Sequence, residues 1–400
     1  MREPMGEGVP DGTGNPAAGL RFGALDHAVC WVVVLLVSAW AYHPYFFGDE
    51  ITMLRETGAA DGFAQALAYL SHYKPRLVFN SIWALGITGE WPRSVFAAVN
   101  AASIAAVCSF SALIAGRWFN ASRGQAWLLV AVILSTRFGA MFYFDYVCGI
   151  IDTLSAALLL GTVVTAAASV RRRNPYGMAI AVVLATAAVL VHERYMAATF
   201  ALACAVVAWT LLHRERGARS GALAFAAVLA LVPPFVFLGL TWLMESRSVA
   251  TGTAGREVVL GLGTAKVFFT YLGNVLFGMN FGKEWMVGAL NMGTVAGRIW
   301  SWIFAAVFLA GWSAYAWTLR RDARGLSACV ALLAMIGALI LIASLPGEDR
   351  QESRWMYPAA LLAALLVFCT RSIAVRYLLL GSMLAVCLGP WSGGGLGRGG

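Results

Sequence analysis

Long apolar runs separated by short arginine clusters constrain this chain more than any other feature. The first run, Ala28 to Phe47 (AVCWVVVLLVSAWAYHPYFF), has the length a helix needs to cross a bilayer, about 20 apolar residues. Ten further runs follow, and together they predict spans at 27–47, 94–116, 125–144, 150–170, 176–191, 195–212, 220–243, 298–319, 326–345, 355–371 and 374–390. Apolar residues make up 60% of the chain and charged ones 12%, against about 45–50% and about 25% in soluble domains. A soluble fold could not hide that much apolar surface, and the mean hydropathy of +0.73 agrees. The expected fold is all-α, a polytopic membrane helical bundle of about 11 transmembrane helices.

The arginines orient the bundle. With a cytoplasmic N-terminus, Arg117 and Arg123, Arg171 to Arg173, Arg214, Arg216 and Arg219, Arg320, Arg321 and Arg324, and Arg371 and Arg376 all fall in inner loops. The apolar stretch Leu77 to Leu85 is short, and counting it as a span would move the later clusters outside. Residues 48–93 are therefore read as a first outer loop whose helices lie along the membrane surface. Residues 244–297 form a second large outer loop. The net charge of +9 is then a topology signal, and no nucleic acid is implied.

The first run is too long for a signal-peptide core and is expected to remain as an anchor. Residues 1–25 read as a disordered cytoplasmic tail, 26–390 as a single transmembrane domain, and 391–400 as a Gly-rich tail. Cys30, Cys108, Cys204, Cys329, Cys369 and Cys387 lie in apolar runs and read as small buried hydrophobes, with Cys148 the candidate exposed thiol.

This topology gathers carboxylates and cations from distant parts of the chain at the outer face. Asp49 and Glu50 directly follow the first run, where charge is costly unless it has a use. The pair suits cation binding, general-base work, or capping of a helix over Ile51 to Glu56. Asp145 and Asp152, seven residues apart, would share one face if they shared a helix. His192-Glu193-Arg194 reads either as a tight turn with an internal ion pair or as an anion holder, and no second His stands at metal-binding spacing. Arg76 and Arg354 read as interfacial anchors or as planar forks for phosphate. LGLGTAK at 260–266 lacks the strand–helix context of a phosphate loop.

Four segments, in this order, resemble the GT-C superfamily of membrane glycosyltransferases that use polyprenyl-phosphate sugars. The chain looks like the branch containing protein O-mannosyltransferases and lipid A aminoarabinose transferases. The segments are FFGDEITMLRETG, YKPRLVFNSIWALGITGEWPRSVFAAVNAAS, FDYVCGIIDTLSAALL and RWMYPAALL. They lie within residues 28–195 and 345–366, while Glu245 to Gly297 matches no pattern of the family.

The resemblance implies a polyprenyl-phosphate sugar donor, a hydroxyl acceptor, and inverting transfer at the outer face of the cytoplasmic membrane, with the donor's tail among the spans and membrane lipid around them. It implies Asp49 as the catalytic carboxylate with Glu50 in support, and Asp152 as the second acidic position with Asp145 beside it. Lys74, Arg76, Arg194 and Arg354 would hold the donor phosphate, and His72, His192, Glu193 and Tyr357 would contact substrate. No cofactor is required, although the carboxylates suit a divalent cation. The alternative is a transporter or flippase of a lipid-linked or anionic substrate. Against it, the chain has no internal repeat, and its charges collect at one face rather than at the bilayer midplane.

Overall fold

A computed structural model describes residues 22–46, 48–136, 139, 142–212, 219–246, 260–276, 295–321, 323–345 and 353–393. Most of the tail expected at 1–25, most of the loop expected at 244–297, and residues 394–400 lie outside this set. Among the described residues the fold is all-helical and has no strand.

Each of the eleven apolar runs contains a helix. These are α1 (Ala24–Trp40), α5 (Arg93–Phe119), α6 (Arg123–Ser135), α7 (Tyr146–Arg172), α8 (Pro175–Val191), α9 (Tyr195–Leu212), α10 (Arg219–Leu243), α12 (Val295–Thr318), α13 (Ala323–Ser344), α14 (Tyr357–Leu366) and α15 (Ile373–Gly393). Four segments, α5, α7, α10 and Gly325–Ser344 of α13, are long and apolar enough to cross a membrane. Residues 48–93 fold as α2 (Asp49–Thr57), α3 (Phe63–Tyr73) and α4 (Leu77–Thr88), and α11 (Leu262–Leu276) falls within 244–297.

Two helices stop well short of their apolar runs. The first ends at Trp40 rather than near residue 47, because Pro44 disfavours helical backbone at His43. The helix α6 of the third run ends at Ser135. Beyond it, the carbonyls of Phe142 and Phe144 leave helical pairing and accept from Asn100 and Arg93, at 2.9 and 2.6 Å.

The long helix α7 packs against α5 and α8, while α9 packs against α13 and α10. A second, smaller core lies under α2 to α4. Phe79 and Trp83 of α4, Leu70 of α3 and Phe96 of α5 meet Tyr146 and Ile150 of α7. Each large side chain buried this fully contributes about 1.5–3 kcal/mol relative to water. Gly86 makes the packing possible, since a Cβ there would overlap the Phe96 ring. This small core fixes α2 to α4 against the first turns of α7.

The cysteines depart from expectation at two positions. Cys148 is buried rather than exposed, because it lies on the first turn of α7 beneath α2, and Cys204 is exposed on the outside of α9. Cys30, Cys108, Cys329 and Cys369 are buried as expected, and the side chain of Cys387 lies outside the described set.

Candidate functional site

Asp145 joins the N-termini of two helices. Its Oδ1 accepts from the backbone N–H of Cys148 in α7, and its Oδ2 accepts from the N–H of Asp49 in α2, both at 3.0 Å. Both helices direct the positive ends of their dipoles at this carboxylate. Burial is the largest influence on Asp145 and raises its pKa above the usual carboxylate value. The two N–H bonds oppose that shift, and the charges of Asp49 and Glu50 add to it. Gly48, with φ of +55°, brings its backbone so close that a Cβ would lie 2.6 Å from Asp145 Oδ2. Glycine is the residue that tolerates both the dihedral and the approach.

This shared cap sets the position of Asp49, whose side chain is exposed and accepts the Cys148 thiol at 3.2 Å. The carboxylate of Glu50 points the other way and is fully buried. Arg93 grips it with both arms, Nε to Oε2 at 2.9 Å and Nη2 to Oε1 at 3.0 Å, and the N–H of Tyr146 donates to Oε1 at 2.7 Å. Arg93 also donates to the carbonyls of His43 and Phe144 and lies 4.2 Å over the Tyr146 ring. Glu50 and Arg93 thus clamp together the end of the α1 segment, α2, α5 and α7. Arg93 opens the second apolar run, a position that by itself signals no more than the start of a helix.

Asp49, Asp145 and Cys148 each offer one ligand atom, all within 4.8 Å of one another. Two carboxylates and a thiol are a mixed donor set, whereas Mg²⁺ and Ca²⁺ take oxygen ligands almost throughout. The oxygens of Asp145 are also engaged by two backbone N–H groups. These residues fit a hard divalent cation poorly.

A second cluster forms where the turn between α8 and α9 meets the segment between α3 and α4. Glu193 accepts from Lys74 at 3.0 Å and from Arg76 at 2.7 and 2.8 Å. The triplet 192–194 does not pair internally through Arg194, whose guanidinium lies 3.6 Å over the Trp355 ring. His192 lies between Glu193, at 3.5 Å, and Asp152 of α7, at 3.9 Å. Burial alone would raise the Glu193 pKa, but Arg76 and Lys74 outweigh it and hold the carboxyl well below its usual value. Burial, reinforced by the Arg76 charge and opposed by Glu193, brings Lys74 down to about 8.

The structure therefore brings together Lys74, Arg76, Asp152, His192, Glu193 and Arg194 in one buried cluster, and Asp49 and Asp145 in another. Cys148 and Asp152 link the two, standing one turn apart on one face of α7, about 6 Å along its axis. Tyr357 is buried at the start of α14 with its ring edge-on to Phe142 at 4.9 Å. His72 is exposed on α3 and makes no hydrogen bond or ion pair among the described residues. Arg354 lies in a short 3-10 turn, and its side chain is outside the described set. Sequence reasoning did not single out Arg93 or Trp355 as parts of the site. No family model, curated protein or solved structure matches this chain.

Proposed function

We propose that this chain is a multi-pass glycosyltransferase of the GT-C type, embedded in the cytoplasmic membrane with its N-terminus inside. It moves a sugar from a polyprenyl-phosphate donor to a hydroxyl acceptor at the outer face, with inversion. The observation that carries this reading is the buried cluster of Lys74, Arg76 and Arg194 with Asp152 and Glu193. Among the described residues, three cations against two carboxylates leave one formal positive charge, His192 being neutral, and this complements a singly charged phosphodiester. A cluster built only for stability would gain little from so many desolvated charges.

In the proposed reaction the acceptor hydroxyl oxygen attacks the anomeric carbon, and the bond from that carbon to the phosphate oxygen breaks. The electron pair leaves with the polyprenyl phosphate, whose developing charge faces Lys74, Arg76 and Arg194. The carboxylate of Asp49 takes the hydroxyl proton. Asp145 holds Asp49 in place through its backbone N–H, and Asp152 orients substrate beside the anion site.

Membranes containing the full chain, supplied with labelled polyprenyl-phosphate hexoses and pentoses, provide the test. Label should move to an endogenous acceptor as polyprenyl phosphate is released, and nucleotide-diphosphate sugars should be inert. Passage of intact donor across sealed vesicles without cleavage would instead establish a transporter.

Lys74 adds a pH dependence. It is cationic below about 8 and loses its charge above, so donor affinity should fall as pH rises through that value. A charge-assisted hydrogen bond of this kind is worth about tenfold to a hundredfold in affinity. Lys74→Met should show weak, flat binding of a polyprenyl phosphodiester between about pH 7 and 9. A wild-type affinity that stays level over that range would remove Lys74 from the anion site.

A further inference from the structure

His192 stands between the acidic and cationic halves of the buried cluster, and its hydrogen bonds specify its tautomer. The backbone N–H of Arg194 reaches His192 Nδ1 at 3.3 Å. A backbone N–H can only donate, so Nδ1 accepts from it and the proton of the neutral ring goes to Nε2, while the Glu193 carboxylate 3.5 Å from Nδ1 is already taken up by Lys74 and Arg76. Nε2 faces Asp152 Oδ1 at 3.9 Å, a small ring shift from a hydrogen bond. The hydroxyl of Tyr195 donates to the Asp152 carbonyl at 3.2 Å and fixes the backbone at that turn of α7.

The groups facing the imidazole come from three segments. Asp152 approaches from α7, Lys74 and Arg76 from the stretch before α4, and Glu193, Arg194 and Tyr195 from its own turn and the start of α9. Burial and the three cations keep the ring neutral against the opposing pull of Glu193. A neutral donor can orient a carboxylate without cancelling its charge, which an imidazolium could not do.

We propose that His192 is a positioning residue, which through an Nε2–H set by the Arg194 amide holds the Asp152 carboxylate in one orientation beside the anion site. This rests on the transferase reading. It accounts for a buried histidine next to three cations, an expensive placement for a residue that served only to pack. It also assigns the polar triplet 192–194 a division of labour. Glu193 gathers Lys74 and Arg76, His192 orients Asp152, and the Arg194 amide fixes the tautomer.

The test compares three substitutions in membranes containing the full chain, with a labelled polyprenyl-phosphate hexose as donor. His192→Gln places an amide N–H near the position of Nε2, whereas His192→Asn places one near Nδ1. The alanine and asparagine variants should lose about tenfold to a hundredfold in kcat, with donor KM nearly unchanged. The glutamine variant should recover most of that loss.

A second readout needs no turnover. In the full chain carrying ¹⁵N-labelled histidine, the signal lost in His192→Gln should report a neutral Nε2–H ring at pH 7. An Nδ1–H ring or an imidazolium there overturns the proposal. An active wild type in which His192→Gln is as poor as His192→Ala overturns it as well, leaving the transferase reading intact. A wild type that transfers nothing from any polyprenyl-phosphate sugar brings down both.

Discussion

Arg93→Met is expected to leave little folded protein in the membrane. The carboxylate of Glu50 is 0% exposed, and both of its oxygens accept from the Arg93 guanidinium, Oε1 from the Tyr146 N–H as well. Removing one partner of a buried pair strands the other charge, at a cost of about 3–5 kcal/mol. That is a large part of the ~5–15 kcal/mol by which most domains are stable. The carbonyls of His43 and Phe144 lose their donor in the same step. Arg93→Lys should rescue only partly, because an ammonium cannot span both carboxylate oxygens as the planar fork does. The double variant Glu50→Gln with Arg93→Met should be more stable than Arg93→Met alone, since it buries no unpaired charge. Thermal melts in detergent at matched loading decide the matter, and an Arg93→Met melt that coincides with wild type would refute the clamp.

The clamp also marks where sequence reasoning reached its limit. Apolar run length located a helix in each of the eleven runs, because that signal is local and additive along the chain. It did not foresee the breaks after Trp40 and Ser135. Those breaks serve carbonyls that pair with Arg93 and Asn100, residues of another helix. Glu193 stood out as one of three polar residues between two apolar runs, but its partners, Lys74 and Arg76, lie 119 and 117 residues away. Local spacing left open an ion pair inside the triplet or an anion holder, whereas the fold pairs Glu193 with Lys74 and Arg76 and sets the Arg194 guanidinium on Trp355. Asp145 and Asp152 were legible as acids near a helix start. That Asp145 caps two helices could be seen only once α2 had been brought against α7. Asp49 and Glu50 are neighbours in sequence, yet consecutive positions on a helix face different directions, and the two carboxylates enter separate environments.

That divergence makes Asp49→Asn a substitution that probes the proposed chemistry at little expected cost to folding. The side chain of Asp49 is exposed, and what ties it to Asp145 is its backbone N–H, which asparagine keeps. Among the described contacts, the change then touches the favourable end-charge of α2, about 0.3–1 kcal/mol, and one thiol contact. If Asp49 is the base, transfer should fall by about 10²–10⁴-fold while the melt stays close to wild type. Asp145→Asn should behave differently. It replaces one of two oxygens that cap α2 and α7 by an amide that cannot accept, so both the melt and transfer should drop. The two variants together separate a chemical role from a structural one, which neither does alone. The readout is the glycan profile of membranes expressing each variant at matched protein level. Loss of one sugar decoration with accumulation of its polyprenyl-phosphate donor is the expected result for Asp49→Asn. A profile identical to wild type would mean that Asp49 only caps α2 and that the base lies elsewhere or the reaction is not a transfer.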